Sequence, residues 1–383
     1  MQEEKEIIYL DHNATTPLAP EAEKRMIPYL REEFGNPSSG YQLGTRAKQG
    51  VERAREEVAS LLGCQSHEII FTSGGTESNN MVLKGLIDFI NPGKFHIITS
   101  AIEHPAILNP ALFLMESGIK ITFLPVDNLC LVDPGDVQKA ILPETTLISI
   151  MLANNETGTI EPVKEISKIA HDHGVFIHTD AAQAVGKLEV DVNELGIDFL
   201  TLAGHKLYGP KGVGALYIRN GREITPLIHG AGQEFGKRAG TENVILEAGL
   251  GAACRVVQKR IKTDIPDMEK MRDRLQKLLF DDIEGLALNG HPDKRLPNTL
   301  NVSVPGLEGM QILDGIPAVM ASTGAACHDR TVRLSHVLSA MSVSPETGMG
   351  ALRFTVGRMN TMDQIEEAAQ LIIKQVKRMR HGK

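Results

Sequence analysis

Two segments of the chain place an aspartate and a lysine where both could act on one ligand. Asp180 follows the apolar run 175–177, and Lys206 follows a second apolar run, 198–202. Both runs are typical of buried strands, so each side chain is expected near a strand end. An aspartate there suits a protonated ring nitrogen, and a lysine suits a carbonyl carbon. Pyridoxal phosphate (PLP) has both groups. The alternative is a surface aspartate and a solvated lysine that never meet.

A glycine pair offers a site for an anion. Gly74 and Gly75 follow a predicted strand at 69–72 and precede Thr76 at the start of a helix. Glycines let backbone amides approach a phosphate, the threonine adds a hydroxyl, and the helix dipole favours negative charge at that end. The same residues also fit an ordinary glycine turn followed by a threonine cap, so the motif alone leaves both interpretations open.

Three other loops carry polar side chains. His104 lies just past a predicted strand at 96–100, at the strand ends where ligands of open α/β sheets gather. Its flat ring could stack on an aromatic cofactor and move protons, or it could simply be solvated. Asn155 could donate to a carboxylate or to a cofactor oxygen, or form an Asx turn. Thr241 could cap a helix, or reach a phosphate across a dimer interface.

The composition excludes several classes of protein. The 383 residues can bury a sizeable core and predict about two domains. A net charge of -8, without basic runs, argues against nucleic-acid binding. No apolar stretch approaches the ~20 residues that a membrane helix needs, and the acidic N-terminus lacks an apolar signal core. We therefore expect a soluble cytoplasmic protein that binds no membrane. Its four cysteines lack metal-site spacing, so no metal is expected.

The fold is predicted from the alternation of two patterns. From about residue 15 to 260, helical segments alternate with short β-rich runs, which is typical of a parallel α/β sheet. Strands are predicted at 69–72, 96–100, 121–125, 147–151, 175–179, 199–203 and 214–218, and helices at 45–62, 77–90, 163–173 and 243–262.

After about Pro266 the pattern changes. It predicts a helix at 268–280, alternating runs at 285–289 and 299–304, a run at 353–356 and a closing helix that Thr361 and Gln364 would cap. We predict a large cofactor domain over 15–260 and a small α+β domain formed by 1–14 together with 261–383.

Taken together, these segments resemble the NifS-like cysteine desulfurases and selenocysteine lyases, which are PLP enzymes of the class V aminotransferase fold. The resemblance runs from Tyr9 to Arg358, nearly the whole chain, and its motifs lie at 35–39, 72–79, 154–158, 179–183, 204–209 and 238–241. It implies an α/β fold of the PLP-dependent transferase type (aspartate aminotransferase-like, fold type I). The large domain would hold a mostly parallel sheet, and the small domain a cysteine loop and a substrate-binding arginine.

The resemblance also implies roles around PLP. Lys206 corresponds to the Schiff-base lysine, Asp180 to the partner of the ring nitrogen, and His104 to the ring-stacking acid/base residue. The other implied cofactor ligands are Gln183 at the phenolic oxygen, Asn155, and the phosphate ligands Gly75, Thr76 and His205, with Thr241 reaching the phosphate of a neighbouring subunit.

The remaining implied roles concern the substrate. Asn155 and Arg353, with Asn13 beside them, correspond to the group that binds the substrate carboxylate. Cys327 corresponds to the cysteine that attacks the substrate sulfur and becomes a persulfide, and it lies in a stretch of small residues that could move. The neighbouring His328 could favour its thiolate. The alternative is a buried structural cysteine.

The implied reaction converts L-cysteine into L-alanine and passes sulfur from Cys327 to an acceptor, such as an iron–sulfur scaffold protein, within a homodimer. A selenocysteine lyase acting on L-selenocysteine is the close alternative, because residues 324–328 read Gly-Ala-Ala-Cys-His where many desulfurases have Gly-Ser-Ala-Cys. An ordinary class V aminotransferase and a non-enzymatic scaffold are more distant rivals. Ala203 stands where many desulfurases have a serine at the phosphate, which predicts one ligand fewer.

Overall fold

A computed structural model gives the structure of the protein. It describes residues 7–87, 95–323, 325–328 and 331–381, with the backbone alone over 325–328 and 331–333. Within these ranges, no helix combines the length and the apolar character that a bilayer crossing needs.

The large part of the chain is built on a seven-stranded sheet. In spatial order its strands are β2 (Ile69–Thr72), β8 (Gly214–Ile218), β7 (Phe199–Ala203), β6 (Phe176–Asp180), β5 (Thr145–Ser149), β3 (His96–Ser100) and β4 (Lys120–Leu124). From β4 to β7 the strands are parallel, whereas β8 runs antiparallel to both of its neighbours. The prediction of a mostly parallel sheet is confirmed. Strand bounds agree with those predicted to within two residues at either end.

Both faces of this sheet are covered, which explains its continuous apolar strands. Neighbouring residues of one strand contribute to different cores: Ile69 and Phe71 pack in one cluster and Ile70 in another. Because side chains alternate across a strand, the two clusters lie on opposite faces. The covering helices of this part are α1 (Pro20–Arg31), α2 (Gln42–Leu62), α3 (Gly75–Gly85), α4 (Pro105–Glu116), α5 (Pro134–Ala140), α6 (Val163–Asp172) and α7 (Val192–Leu195). The predicted helix at 77–90 extends into residues 88–94, which lie outside the described part.

A single helix, α8 (Val244–Asp282), connects this part to the rest of the chain. The sequence predicted two helices separated near Pro266, and that prediction is wrong. A proline inside a helix removes one backbone hydrogen bond and favours a break. Here both sides of the proline are held by packing, since Ile261 belongs to the core beneath the sheet and Met268 to a second core. Tertiary packing therefore overrides the local signal.

The second core lies under a smaller sheet of order β12 (Ser322–Thr323), β15 (Ala351–Thr355), β10 (Thr299–Ser303) and β9 (Ala287–Leu288). Its apolar residues come from 8–10 and 268–376, including the closing helix α12 (Met362–His381). Thr361 and Gln364 exchange hydrogen bonds at the start of that helix, as predicted. β1 (Ile8–Tyr9) pairs with β11 (Val319–Met320). The division into 15–260 and 1–14 with 261–383 stays a prediction.

The predicted nucleophile lies on a two-stranded hairpin. Cys327 is part of β13 (Ala325–His328), which pairs antiparallel with β14 (Thr331–Leu334). The side chains of Cys327 and His328 lie outside the described part of the structure. The hairpin leads into the short helices α10 (His336–Ala340) and α11 (Pro345–Gly348), while α9 (Gly309–Asp314) precedes it.

Candidate active site

Loops at the carboxyl ends of the parallel strands surround one cavity. This is the edge at which open α/β sheets bind ligands. The cavity has a volume of about 290 Å³. It is lined by Gly75, Thr76, Asn79, His104, Ala106, Met151, Ala153, Asn155, Asp180, Ala182, Gln183, Ala203, His205 and Lys206. Eight of these residues were singled out from the sequence for a role in binding or catalysis, so the structure brings together side chains up to 131 positions apart in the chain (75 to 206).

The carboxylate of Asp180 ends β6 and is almost fully buried. Its Oδ2 accepts a hydrogen bond of 2.7 Å from Asn79 Nδ2, and its Oδ1 accepts one of 2.9 Å from the backbone N–H of Ala182. Two donors hold both oxygens and orient the group in the cavity wall. A carboxylate held in this way is placed to serve as the partner of a ring nitrogen.

The amine of Lys206 lies on a 3₁₀ turn, Gly204–Lys206, directly after β7. Its Nζ donates to the carbonyl oxygens of Asn13 and Ala14, at 2.6 and 2.8 Å. Burial, helped by the charge of Arg353, lowers the pKa of Lys206 from 10.5 to about 8. A neutral amine is the nucleophilic form, so this environment makes the lysine reactive near neutral pH.

The imidazole of His104 caps α4. Its Nδ1 accepts a hydrogen bond of 3.1 Å from the backbone N–H of Ala106. Burial lowers the pKa of His104, and the charge of Asp180 acts in the opposite direction. Because Nδ1 accepts, the proton of the neutral ring resides on Nε2.

The other end of the cavity lies at the start of α3. Gly75 is the first residue of that helix, and a Cβ at this position would meet the Cβ of Ala203 at 3.5 Å. A side chain would therefore fit, but it would fill the cavity at the helix N-terminus, where the first backbone N–H groups have no partner within the helix. Thr76 is exposed. The Nδ1 atom of His205 lies 3.2 Å from the hydroxyl oxygen of Thr15, within hydrogen-bonding distance. Burial, with the charge of Lys206, lowers the pKa of His205 to about 4.

Arg353, on β15, borders the cavity without lining it. Its guanidinium donates to the carbonyl oxygen of Asn155 at 3.0 Å and to the carboxylate of Asp11 at 2.8 Å. The Nδ2 atom of Asn13 donates to the same Asn155 carbonyl at 3.3 Å and to the hydroxyl of Thr299 at 3.0 Å. The three predicted substrate residues are therefore neighbours. The Nε atom of Arg353 is buried without a partner among the described residues.

Thr241 stands apart from the other predicted site residues. Its side chain is exposed, and it does not line the cavity of its own chain. The loop that carries it is tied to α3 by an ion pair of 2.9 Å between Arg238 and Glu77. Thr241 therefore does not contribute to the cavity of its own chain. Its predicted role at a neighbouring subunit stays a prediction.

Three residues at the site were missed from the sequence: Asn79, Asp11 and Lys187. Asn79 lies three residues after Thr76 on the same helix, and helical spacing alone could have pointed to it. Asp11 precedes Arg353 by 342 positions, and no local pattern links the two. Lys187 reads as an ordinary surface lysine in a turn, yet only 4% of its surface is exposed.

The residues present fit PLP. A buried carboxylate is available for the ring nitrogen, an amine of lowered pKa for the carbonyl carbon, and a helix N-terminus without a Cβ for the phosphate. In addition, the Oδ1 atom of Asn79 is buried without a partner among the described residues. Ala203 lines the cavity and offers no side-chain donor there.

The fold and the cavity define a transferase of the PLP-dependent type. The class V aminotransferase family model matches residues 8–367, and the chain belongs to that family.

Within the family, the chain is similar to cysteine desulfurases. It is 46% identical to cysteine desulfurase IscS of Dictyoglomus turgidum over 98% of this chain and 96% of that protein. It is 45% identical to cysteine desulfurase IscS of Methanosarcina thermophila over 99% and 94%.

Solved structures agree with this family. A NifS-like protein superposes with a TM-score of 0.91 at 36% identity, covering 97% of this chain and 99% of that one. A structure described as SspA in complex with cysteine superposes with a TM-score of 0.81 at 35% identity, covering 92% and 99%. The predicted family and the predicted fold are confirmed.

Proposed function

We propose that the protein is a PLP-dependent cysteine desulfurase that converts L-cysteine into L-alanine and transfers the sulfur to Cys327 as a persulfide. The observation that carries the proposal is the convergence of Asp180, Lys206 and His104 on one cavity. The names of the relatives, which are 41–46% identical over nearly the whole chain, favour cysteine over selenocysteine as the substrate.

When bound, PLP supplies an electron sink that weakens the Cα–H and Cβ–S bonds of an amino acid. In this proposal Asp180 holds the ring nitrogen and Lys206 the carbonyl carbon. His104 lies against the ring, and Gln183 donates to the phenolic oxygen. Gly75, Thr76 and His205 hold the phosphate at the start of α3.

Arg353 and Asn155 bind the carboxylate of the substrate, with Asn13 orienting them. Support comes from the planar guanidinium, which can donate two parallel hydrogen bonds to a carboxylate. Asp11 already accepts from this guanidinium, so the substrate competes with an internal acid for part of it. That competition makes binding depend on the exact position of Asp11.

Lys206 moves the proton at Cα. Burial lowers the pKa of its amine to about 8, so a large fraction of the amine is neutral at that pH and can accept the Cα proton. His104, whose proton resides on Nε2 in the neutral form, is another group in the cavity that can donate a proton.

Cys327 takes the sulfur. Its thiolate attacks the sulfur of the substrate, an S–S bond forms, and the Cβ–S bond breaks. The electron pair left on Cβ takes up a proton and gives the methyl group of alanine. No external oxidant or reductant is consumed, since the second sulfur stays on Cys327 as a persulfide. A thiol on an acceptor, such as an iron–sulfur scaffold protein, then removes it.

A homodimer is part of the proposal. Thr241 is exposed and does not line the cavity of its own chain, which fits a role at the phosphate of a second copy. The cytoplasmic location stays a prediction from the sequence.

Turnover on L-cysteine and L-selenocysteine, measured side by side, tests the proposal. We expect alanine from cysteine with the wild-type enzyme and a loss of at least about a hundredfold in a Cys327→Ser variant. If alanine forms from selenocysteine and not from cysteine, the proposed substrate is wrong. A 2-oxo acid product that persists in the variant would indicate an aminotransferase instead.

A further inference from the structure

Lys187 lies in the turn after β6, directly behind the cavity wall. Only 4% of its surface is exposed, although lysine is among the residues least often buried. A buried lysine amine needs acceptors, because it has three donors and no acceptor of its own. Its contacts therefore show which groups it holds.

Both hydrogen bonds of the Lys187 amine end on one residue. Its Nζ donates to the backbone carbonyl of Gln183 at 3.1 Å and to the side-chain Oε1 of Gln183 at 2.8 Å. Neither acceptor is a carboxylate, so this contact is not an ion pair. Burial lowers the pKa of Lys187 far below its ordinary value, and the charges of Lys206 and Arg353 act in the same direction.

The contact determines which end of the Gln183 amide faces the cavity. Oε1 lies toward Lys187 and accepts from it, and Nε2 lies on the other side of the amide, toward a backbone carbonyl that can only accept. Nε2 indeed donates to the carbonyl of Asn13 at 2.9 Å, and the same carbonyl accepts from Lys206 at 2.6 Å. A continuous series of hydrogen bonds thus joins Lys187 to the amine of Lys206.

We infer that Lys187 is a positioning residue for PLP: it fixes the amide of Gln183 so that the donor end, Nε2, faces the cavity. The inference rests on the proposed function in so far as PLP is the ligand and Gln183 its donor. Lys187 itself does not line the cavity and acts only through Gln183. Without it, the amide can rotate and present its acceptor to the negatively charged oxygen of the cofactor.

A double-mutant cycle on the holoenzyme tests this role. Lys187→Met keeps an unbranched side chain, one atom shorter, and removes the donor, and Gln183→Leu removes the amide. We expect either variant to release PLP about tenfold faster on dilution than the wild type, and to shift the absorbance maximum of the bound cofactor. We expect the double variant to be no worse than either single one, since both act through the same contact.

Arg272→Met is the matched control. Arg272 is also a buried basic residue that donates to a backbone carbonyl, that of Leu296 at 2.9 Å, and it is not among the residues that line the cavity. We expect it to lower the urea midpoint of unfolding without changing the absorbance or the release of PLP. If Lys187→Met behaves like Arg272→Met, or if its effect adds to that of Gln183→Leu, the inference is wrong. A wild-type protein that binds no PLP would contradict both the inference and the proposed function.

Discussion

Asn79 Nδ2 donates to Asp180 Oδ2 over 2.7 Å, and both side chains are buried. Asn79 lies one helical turn after Thr76 on α3. The helix whose N-terminus faces the proposed phosphate site therefore also holds the carboxylate at the opposite end of the cavity. Distance between the two ends is set by one rigid element, which is how a site keeps the geometry of a bound cofactor.

We expect Asn79→Ala to lower the free energy of unfolding by about 1–3 kcal/mol, because a buried carboxylate oxygen loses its donor. Release of PLP should accelerate as well. Asn80→Ala is the matched control: Asn80 is the next residue, and its side chain donates to the backbone of Thr76. Urea unfolding and PLP release measure both effects. Equal behaviour of the two variants would show that the Asn79 contact has no special role.

The pKa of Lys206 gives a second prediction. In the apoprotein, competitive acylation followed by mass spectrometry should find Lys206 half-protonated near pH 8, since burial and the charge of Arg353 lower its pKa. Arg353→Gln should raise that midpoint toward 10.5, whereas Arg353→Lys keeps the charge and should leave it near 8. A midpoint that does not respond to Arg353→Gln would contradict the assigned electrostatics.

Glu103, next to His104, predicts how stability depends on pH. Burial raises its pKa from 4.5 to about 8, although Ser100 and Met151 donate to its Oε1. A raised pKa in the folded state means that folding binds a proton between these values. The contribution of Glu103 to stability is therefore full below pH 4.5 and is lost as the pH rises through 8.

Glu103→Gln removes this dependence, because an amide keeps the acceptor and carries no charge. The difference in unfolding free energy between the variant and the wild type should rise by more than about 1 kcal/mol from pH 4.5 to pH 8. Each pKa unit corresponds to about 1.4 kcal/mol. Glu269→Gln, at an exposed position of α8, should give a difference that stays flat over the same range. A flat difference for Glu103→Gln as well would refute the prediction.

Ser335 anchors the hairpin that carries Cys327. It follows β14 directly, donates to Oε2 of Glu156 and accepts from the backbone N–H of Val337 at 3.1 Å. Ser335→Ala should lower the unfolding free energy by about 1–2 kcal/mol and slow persulfide formation on Cys327. Exchange of the Cα proton of L-alanine in heavy water needs Lys206 but no thiol, so NMR should find that rate unchanged.

Ser344→Ala is the control for the cap alone, because Ser344 caps α11 at an exposed position. It should cost stability without slowing sulfur transfer. Equal slowing of Cα exchange and of persulfide formation in Ser335→Ala would place the defect in the cavity rather than in the hairpin.

The sequence predicts the positions of the strands in the large sheet better than it predicts the polar contacts between side chains. The bounds of β2, β3, β7 and β8 agree with the prediction residue by residue, because short apolar runs flanked by turns carry a strong local signal. The positions of His104 and Asp180 after two such runs were enough to bring them to one edge.

What the sequence did not predict depends on contacts between distant residues. Helix α8 continues through Pro266 because its two halves pack in two different cores. The contacts of Arg353 with Asp11, and of Asn79 with Asp180, cross 342 and 101 positions and follow no local periodicity. The roles of the cavity residues, and those of Thr241 and Cys327, stay predictions.

A single turnover tests the central claim most directly. The PLP-loaded enzyme is mixed with one equivalent of L-cysteine without reductant, alanine is measured, and the peptide that contains Cys327 is weighed by mass spectrometry. We expect one alanine per active site and a Cys327 peptide heavier by one sulfur atom, and neither in a Lys206→Ala variant. Alanine formed in full while Cys327 stays unmodified would contradict the account.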